Sequence, residues 1–393
     1  MTRRGTRRGC AGAETDAGRR RGPAAIAGLA LALWAGALTA RPAEAQVYRV
    51  YVASESEDEV TVLRYEAGGS LEVEKVVRVG RWPAEIEGPH GIYFDPSGDW
   101  WYLTLGHGYP NGTLLKYEAG ADTVVGTSEL GLFPATVSLT PEGALAFIVN
   151  SNFYGDHVPS TLSIVDTHTM DEVAQTETCT MPHGSRMSPD GMYNYSACMM
   201  DDQLVEMSTV SLEVTRRLDL VTGAEVRVDG AHDMHAMHDM SGGAPAGGGM
   251  QVCSPTWTAP TDDGTRLYVA CNKSHEIVEV DLADWSVVRR IPAQGAPYNL
   301  ALTPDGSRLL ATLKGSAHLA VFDRASGREL ARIDSGQKVT HGVVVTPDSR
   351  YALVTVEGIG GEPGLVEVID LETYTRVARA EVGKQAGGLA LVP

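Results

Sequence analysis

Tyr298-Asn299-Leu300-Ala301-Leu302-Thr303-Pro304-Asp305-Gly306-Ser307-Arg308-Leu309-Leu310-Ala311-Thr312 spells a strand, a tight reversal and a second strand. Proline pre-sets the first turn dihedral, and Asp followed by Gly accepts the sharp bend. The same turn recurs along the chain. It ends at Gly98, Gly143, Gly191, Gly264, Gly306 and Ser349, with spacings of 45, 48, 73, 42 and 43 residues. Each unit divides into four short runs, in the sixth Tyr298–Leu302, Arg308–Leu313, His318–Asp323 and Glu329–Ile333. No long helical periodicity interrupts them. Four short antiparallel strands per 40–50 residues describe a propeller blade.

The ends complete the count. Tyr48-Arg49-Val50-Tyr51-Val52-Ala53-Ser54 resembles a second strand, and Gly387-Gly388-Leu389-Ala390-Leu391-Val392-Pro393 a first strand. Shared between them, one closing blade joins six complete ones. The expected fold is all-β: a seven-bladed β-propeller of four-stranded blades over residues 46–393, its ring closed by the C-terminal strand. Closure removes strand edges that would otherwise recruit other chains.

Residues 1–45 have the pattern of a signal peptide. Arg19-Arg20-Arg21 precedes an apolar stretch from Ala24 to Ala40, and Ala43-Glu44-Ala45 is a small-x-small cleavage pattern. The expectation is a periplasmic or secreted protein cleaved near Ala45, with no permanent membrane anchor. The basic triplet leaves both general and twin-arginine export open. These 45 residues hold eight Lys/Arg and three Asp/Glu, so their removal takes the net charge from −18 to −23. So acidic a chain has no electrostatic footprint for nucleic acid. No dinucleotide or phosphate-binding motif and no Cys-x-x-Cys-His appears, so neither a nucleotide cofactor nor haem c is expected.

Two patterns carry chemistry. The 73-residue spacing contains an insertion, residues 219–252, between blades 4 and 5. Within it, His232, Met234, His235, Met237, His238 and Met240 fall in nine residues, followed by Gly- and Ala-rich sequence. Thioether sulfur suits Cu(I), and imidazole suits copper or zinc. Copper is therefore expected ahead of zinc, although a flexible loop of biased composition is the plainer account. The second pattern is positional. Six residues before the turn proline stand His90 in blade 2, His183 in blade 4 and His341 in blade 7, each followed by Gly. Ala135, Tyr298 and Gly387 fill the position in blades 3, 6 and 1. In blade 5 an extra turn residue would put Ser254 or Pro255 there. The position opens the strand that lines the channel, and blades 2, 4 and 7 are spaced near-threefold. Three imidazoles at one mouth is a known metal arrangement with an open fourth position. Channel histidines bonded to water or backbone are the plainer alternative.

Strand directions put His107, His157, His275 and His318 on the same top face, leaving only His168 below. Metal ions, small molecules or a periplasmic protein partner would bind on this face. Trp257, on an inner strand, belongs either to the core or to the channel wall. Cys198 and Cys271 each lie seven residues after a turn Gly, while Cys179 and Cys253 lie twelve and eleven before one. That repetition predicts disulfides Cys179–Cys198 and Cys253–Cys271, each within a hairpin, over a thiolate role for Cys198 beside His183.

Tyr268-Val269-Ala270-Cys271-Asn272 with Thr303-Pro304-Asp305-Gly306 resembles the YVTN (YncE-like) propeller repeat. Tyr51-Val52-Ala53-Ser54 and Phe147-Ile148-Val149-Asn150 are weaker copies. The resemblance implies an exported binding or surface protein; related propellers include lactonases and the cofactor domains of periplasmic reductases. The Pro-His-Gly to Ser-Pro-Asp-Gly pattern also resembles the propeller of nitrous oxide reductases, which implies copper at channel histidines. It reaches only His90, His183 and His341, and no cupredoxin domain follows. Three functions stay open: a copper-binding propeller, a metal-dependent enzyme (lactone hydrolase or copper oxidoreductase), and a metal-free interaction scaffold.

Overall fold

The computed structural model describes residues 46–82, 84–107, 111–228 and 251–393. They form seven antiparallel sheets, with no helix among the described residues. The sixth blade comprises Pro297–Leu302, Arg308–Leu313, His318–Asp323 and Glu329–Asp334, within a residue or so of the sequence expectation. Ala386–Leu391 pairs antiparallel with Val47–Ser54, matching Val50 with Leu391 and Val52 with Leu389, and so closes the ring. Blade 4 alone has five strands, because Glu225–Val226 pairs with Val214–Asp219. These two residues belong to the 219–252 segment. Residues 1–45, read above as a signal peptide, and the whole His232–Met240 run lie outside the described residues.

The apolar cores lie between neighbouring blades. Trp257, Tyr268 and Ile277 of blade 5 pack with Leu309, Leu313 and Phe322 of blade 6. Tyr51 and Val62 of blade 1 meet Phe94, Trp101 and Tyr117 of blade 2. Strands that alternate apolar residues on both faces suit this arrangement, since each sheet is covered twice.

Every inner strand is entered through a left-handed residue: Gly88, Phe133, Met181, Ser254, Ala296, Val339 and Gln385, with φ between 48° and 68°. Five of the seven precede proline. Six are not glycine, and a β-branched residue such as Val339 is strained in that region. The sharp entry turns the chain from a neighbouring blade's outer edge into the channel wall.

Both disulfides form as paired, and Cys198 is not a free thiol. One detail differs from expectation. Cys179 lies on the outer strand of blade 3 (Glu172–Thr180) and Cys198 on the second strand of blade 4 (Tyr193–Cys198), so this bond joins two blades. The hairpin spacing seen in sequence spans a blade boundary, because the outer strand of one blade leads directly into the inner strand of the next. Cys253–Cys271 pins the chain as it returns from the insertion to blade 5. Asp202 supports that return by accepting backbone N–H bonds from Val252, Cys253 and Ser254.

Candidate binding site at the channel mouth

The histidines stand where the inner strands bulge. In blade 2, Pro89 pairs with Leu105 and Ile92 with Leu103, so His90-Gly91 together oppose one residue, Thr104. His183-Gly184 oppose Ala197 in the same way, and His341-Gly342 oppose Thr355. A bulge re-aims a side chain; here it turns imidazoles inward. The freed backbone N–H of Gly91 donates to Thr104 Oγ1 at 2.7 Å, and that of Gly342 to Thr355 Oγ1 at 2.8 Å.

Glycine after each histidine has a steric cause. A Cβ at Gly91 would sit 2.7 Å from the Ala135 carbonyl oxygen. At Gly184 it would overlap the Thr256 carbonyl and lie 2.6 Å from Trp257 Cα, and at Gly342 it would lie 2.8 Å from the Gly387 carbonyl. These three carbonyls belong to the next blade's inner strand. His90 Nδ1 donates to Ala135 O at 2.7 Å, and His183 Nδ1 to Thr256 O at 3.2 Å. The Gly387 carbonyl acts on His341, although Nδ1 there has no hydrogen bond of normal geometry. Glycine thus admits the neighbouring strand, and that strand orients the imidazole. Thr256 is the blade 5 counterpart of His183, which corrects the expected Ser254 or Pro255. The blade 5 turn holds no extra residue, since Pro255 pairs with the strand-terminal Cys271 as Pro182 does with Cys198.

The three rings meet at one mouth. Ring centroids of His90 and His183 are 5.9 Å apart, and those of His90 and His341 are 6.1 Å apart. Their exposures are 8%, 2% and 4% for His90, His183 and His341. Burial first, then repulsion from His90 and Lys314, lowers the pKa of His183 to about 3. Burial, with Lys314 and the other two rings, holds His341 well below its ordinary value. With Nδ1 donating, a neutral ring presents its Nε2 lone pair. That of His183 accepts from the Tyr298 hydroxyl at 3.1 Å. His341 Nε2 is 3.7 Å from Glu357 Oε1. Among the described residues, no three His, Cys, Asp or Glu side chains stand in metal-ligating geometry.

Sequence reasoning missed the groups around this triad. Lys314 Nζ is 2.9 Å from Glu357 Oε1 and 4.2 Å above the Tyr298 ring. Burial opposes its charge, but Tyr298 and the carboxylates of Glu357 and Glu55 outweigh that and raise its pKa. Burial likewise raises the Tyr298 phenol. Glu55 accepts from His107 Nε2 at 2.6 Å and from Gln385 Nε2 at 2.9 Å. Phe133, Phe153 and Tyr154 wall the mouth, Phe133 lying 5.4 Å from His90. Together these groups bound a cavity of about 90 Å³. Lys314 and Glu357 lie just past second strands, where only the ring geometry turns them inward. Of the other top-face histidines, His107 reaches the mouth. His275 accepts the Ala296 N–H, His318 pairs with Asp334, and His157 is exposed.

No protein-family model and no curated protein matches the chain. Solved structures do match in fold. A periplasmic gluconolactonase of Pseudomonas aeruginosa aligns with a TM-score of 0.67 at 17% identity, over 88% of this chain and 99% of that one. A putative 6-phosphogluconolactonase from Bacteroides uniformis gives 0.66 at 12% identity, over 88% and 100%. A chain of Kuenenia stuttgartiensis hydrazine synthase gives 0.61 at 17%, over 79% and 92%. At these identities the likeness establishes the fold alone, and it adds nothing to the YVTN or nitrous oxide reductase resemblances. The chain is a seven-bladed β-propeller with lactonase-like structural neighbours and a buried histidine cluster at one channel mouth.

Proposed function

We propose that the protein is an exported binding propeller that takes one transition-metal ion through the Nε2 atoms of His90, His183 and His341. The observation that supports this is the shared ring orientation, with the Nδ1 sides toward the next blade's backbone. Such backbone partners fix the tautomer of metal-bound imidazoles. Rings bound tetrahedrally at 2.0–2.1 Å would have centroids roughly 5 Å apart, so binding would draw these rings inward by about 1 Å and displace the Tyr298 hydroxyl from His183. Copper is the favoured ion, because residues 232–240 offer three more His and three Met, a composition suited to copper capture or delivery. Two disulfides suit an oxidising compartment, where such a role belongs.

Metal analysis and Cu(I), Cu(II) and Zn(II) titrations of the purified protein test the reading. One ion should persist after deletion of residues 231–250 and be lost in His183→Ala. Protein that takes up none of the three ions refutes it. A second reading is hydrolysis of a lactone, for which Lys314 and Tyr298 supply charge stabilisation and the buried imidazoles a base. The names of the solved lactonases favour that substrate class. Turnover of glucono-δ-lactone by metal-free protein, abolished in His90→Ala, would favour it over the first.

A further inference from the structure

Below the histidines the channel widens into a cavity of about 420 Å³, running from His90 and His341 to Pro96 and Pro393 at the opposite face. Its volume lies in the range of small-molecule sites. Arg186 of blade 4 projects from the wall. Its guanidinium lies 4.9 Å over the Trp257 ring, and Nη1 donates to the neighbouring Ser185 carbonyl at 2.9 Å. Arg186 belongs to none of the ion pairs among the described residues. Of ionisable groups, only the Tyr93 phenol raises its pKa, and burial lowers it. The chain has 50 Asp and Glu against 32 Lys and Arg, so carboxylates are in excess, yet none is placed against this guanidinium among the described residues. Many arginines elsewhere pair with carboxylates, as Arg216 does with Glu206 and Arg350 with Asp370; among the described residues Arg217, Arg308 and Arg324 do not, but Arg186 differs from these in lining the channel cavity. Arg186 is partly buried, and a partly desolvated cation facing a cavity gains from an anionic ligand that supplies its counter-charge.

The rest of the wall defines that ligand. Ile92, Val137, Val343 and Leu389 are apolar and line the same cavity. We propose that the lower channel binds a small organic carboxylate, its anionic group paired with Arg186 and its apolar body against these four side chains. The charge partner is Arg186 and not a proposed metal ligand, although His90 and His341 close the upper end of the same cavity. A planar guanidinium fork matches a carboxylate in two parallel hydrogen bonds.

Benzoate and its neutral isostere benzamide are suitable probes, titrated calorimetrically into EDTA-treated protein in low-chloride buffer. Benzoate should bind saturably at one site and benzamide at least tenfold more weakly. Arg186→Met should lose benzoate binding by tenfold or more, while Arg186→Lys, keeping charge without the fork, should fall between. Arg186→Met should also melt no lower than the parent protein, because it removes an uncompensated charge. Equal binding of the two probes, absence of benzoate binding, or unchanged affinity in Arg186→Met would each overturn the proposal. Full suppression of benzoate binding by equimolar chloride would do so too, since it would mark an inorganic-anion site.

Discussion

Replacing Gly184 by alanine tests the account of the histidine bulges. The added Cβ would overlap the Thr256 carbonyl oxygen and lie 2.6 Å from Trp257 Cα and 2.8 Å from Trp257 Cδ2. Two of these three atoms are backbone, so no side-chain rotation relieves the clash, and blades 4 and 5 must separate. Overpacking of this kind costs about 1–3 kcal/mol. Displacing Thr256 also stretches the 3.2 Å bond from His183 Nδ1, worth about 1 kcal/mol more. A loss of about 3 kcal/mol, against an unfolding entropy of roughly 0.7 kcal/mol/K for a domain of this size, predicts a Tm drop of about 4 °C. Gly361 is the control, because a Cβ there meets nothing within 4 Å and its φ is not left-handed. Gly361→Ala should be neutral or slightly stabilising. Calorimetry reads both variants, and nitrogen chemical shifts of the imidazoles report whether His183 keeps its Nδ1–H tautomer. Equal melting of the two variants, with the tautomer unchanged, would refute the steric explanation of the Pro-His-Gly pattern.

Acid should destabilise the metal-free protein. His183 and His341 are neutral in the fold, and their folded pKa values lie below the ordinary 6.5, about 3 for His183. The unfolded chain therefore gains protons first, and stability falls as pH drops from about 6.5 toward 3, at up to about 1.4 kcal/mol per unit per ring. Urea midpoints should show this slope and lose it in His183→Gln/His341→Gln; an unchanged slope would contradict the burial account. Cys253→Ser/Cys271→Ser opens a loop with a separation of 18 residues and should cost about 3 kcal/mol, measured by chemical denaturation without reductant. Val339→Gly should raise stability by about 1 kcal/mol, relief of left-handed strain exceeding the added unfolded-state entropy; a lowered melting temperature would show that the Val339 side chain contributes more than its backbone strain costs.

The repeat made the fold legible. A turn recurring every 42–48 residues outside the insertion needs no tertiary information, and the shared end blade followed from the incomplete units at both termini. The disulfide pairs were legible for the same reason, but not that Cys179–Cys198 joins two blades, because a repeat unit read from turn to turn hides where one sheet ends. His90, His183 and His341 were legible as equivalent positions. Lys314, Glu357 and Glu55 were not marked as partners, since each looks like an ordinary strand-end residue, and Tyr298 was placed on the ring without its bond to His183. The register of Thr256 was also missed, because an imperfect turn, Thr261-Asp262-Asp263-Gly264, shifted the count.

By itself, then, the sequence determined the blades, their number, the closure and the angular placement of three histidines. All of these follow from local turn chemistry and period-two strands repeated in register. Only the tertiary structure decided which atoms of those histidines face the channel, that Lys314 stands charged beside them, and that Arg186 lines a cavity with no carboxylate partner among the described residues. Those outcomes depend on how neighbouring blades press together across bulges and glycines. Contacts of that kind join residues tens to hundreds of positions apart, and no local pattern encodes them.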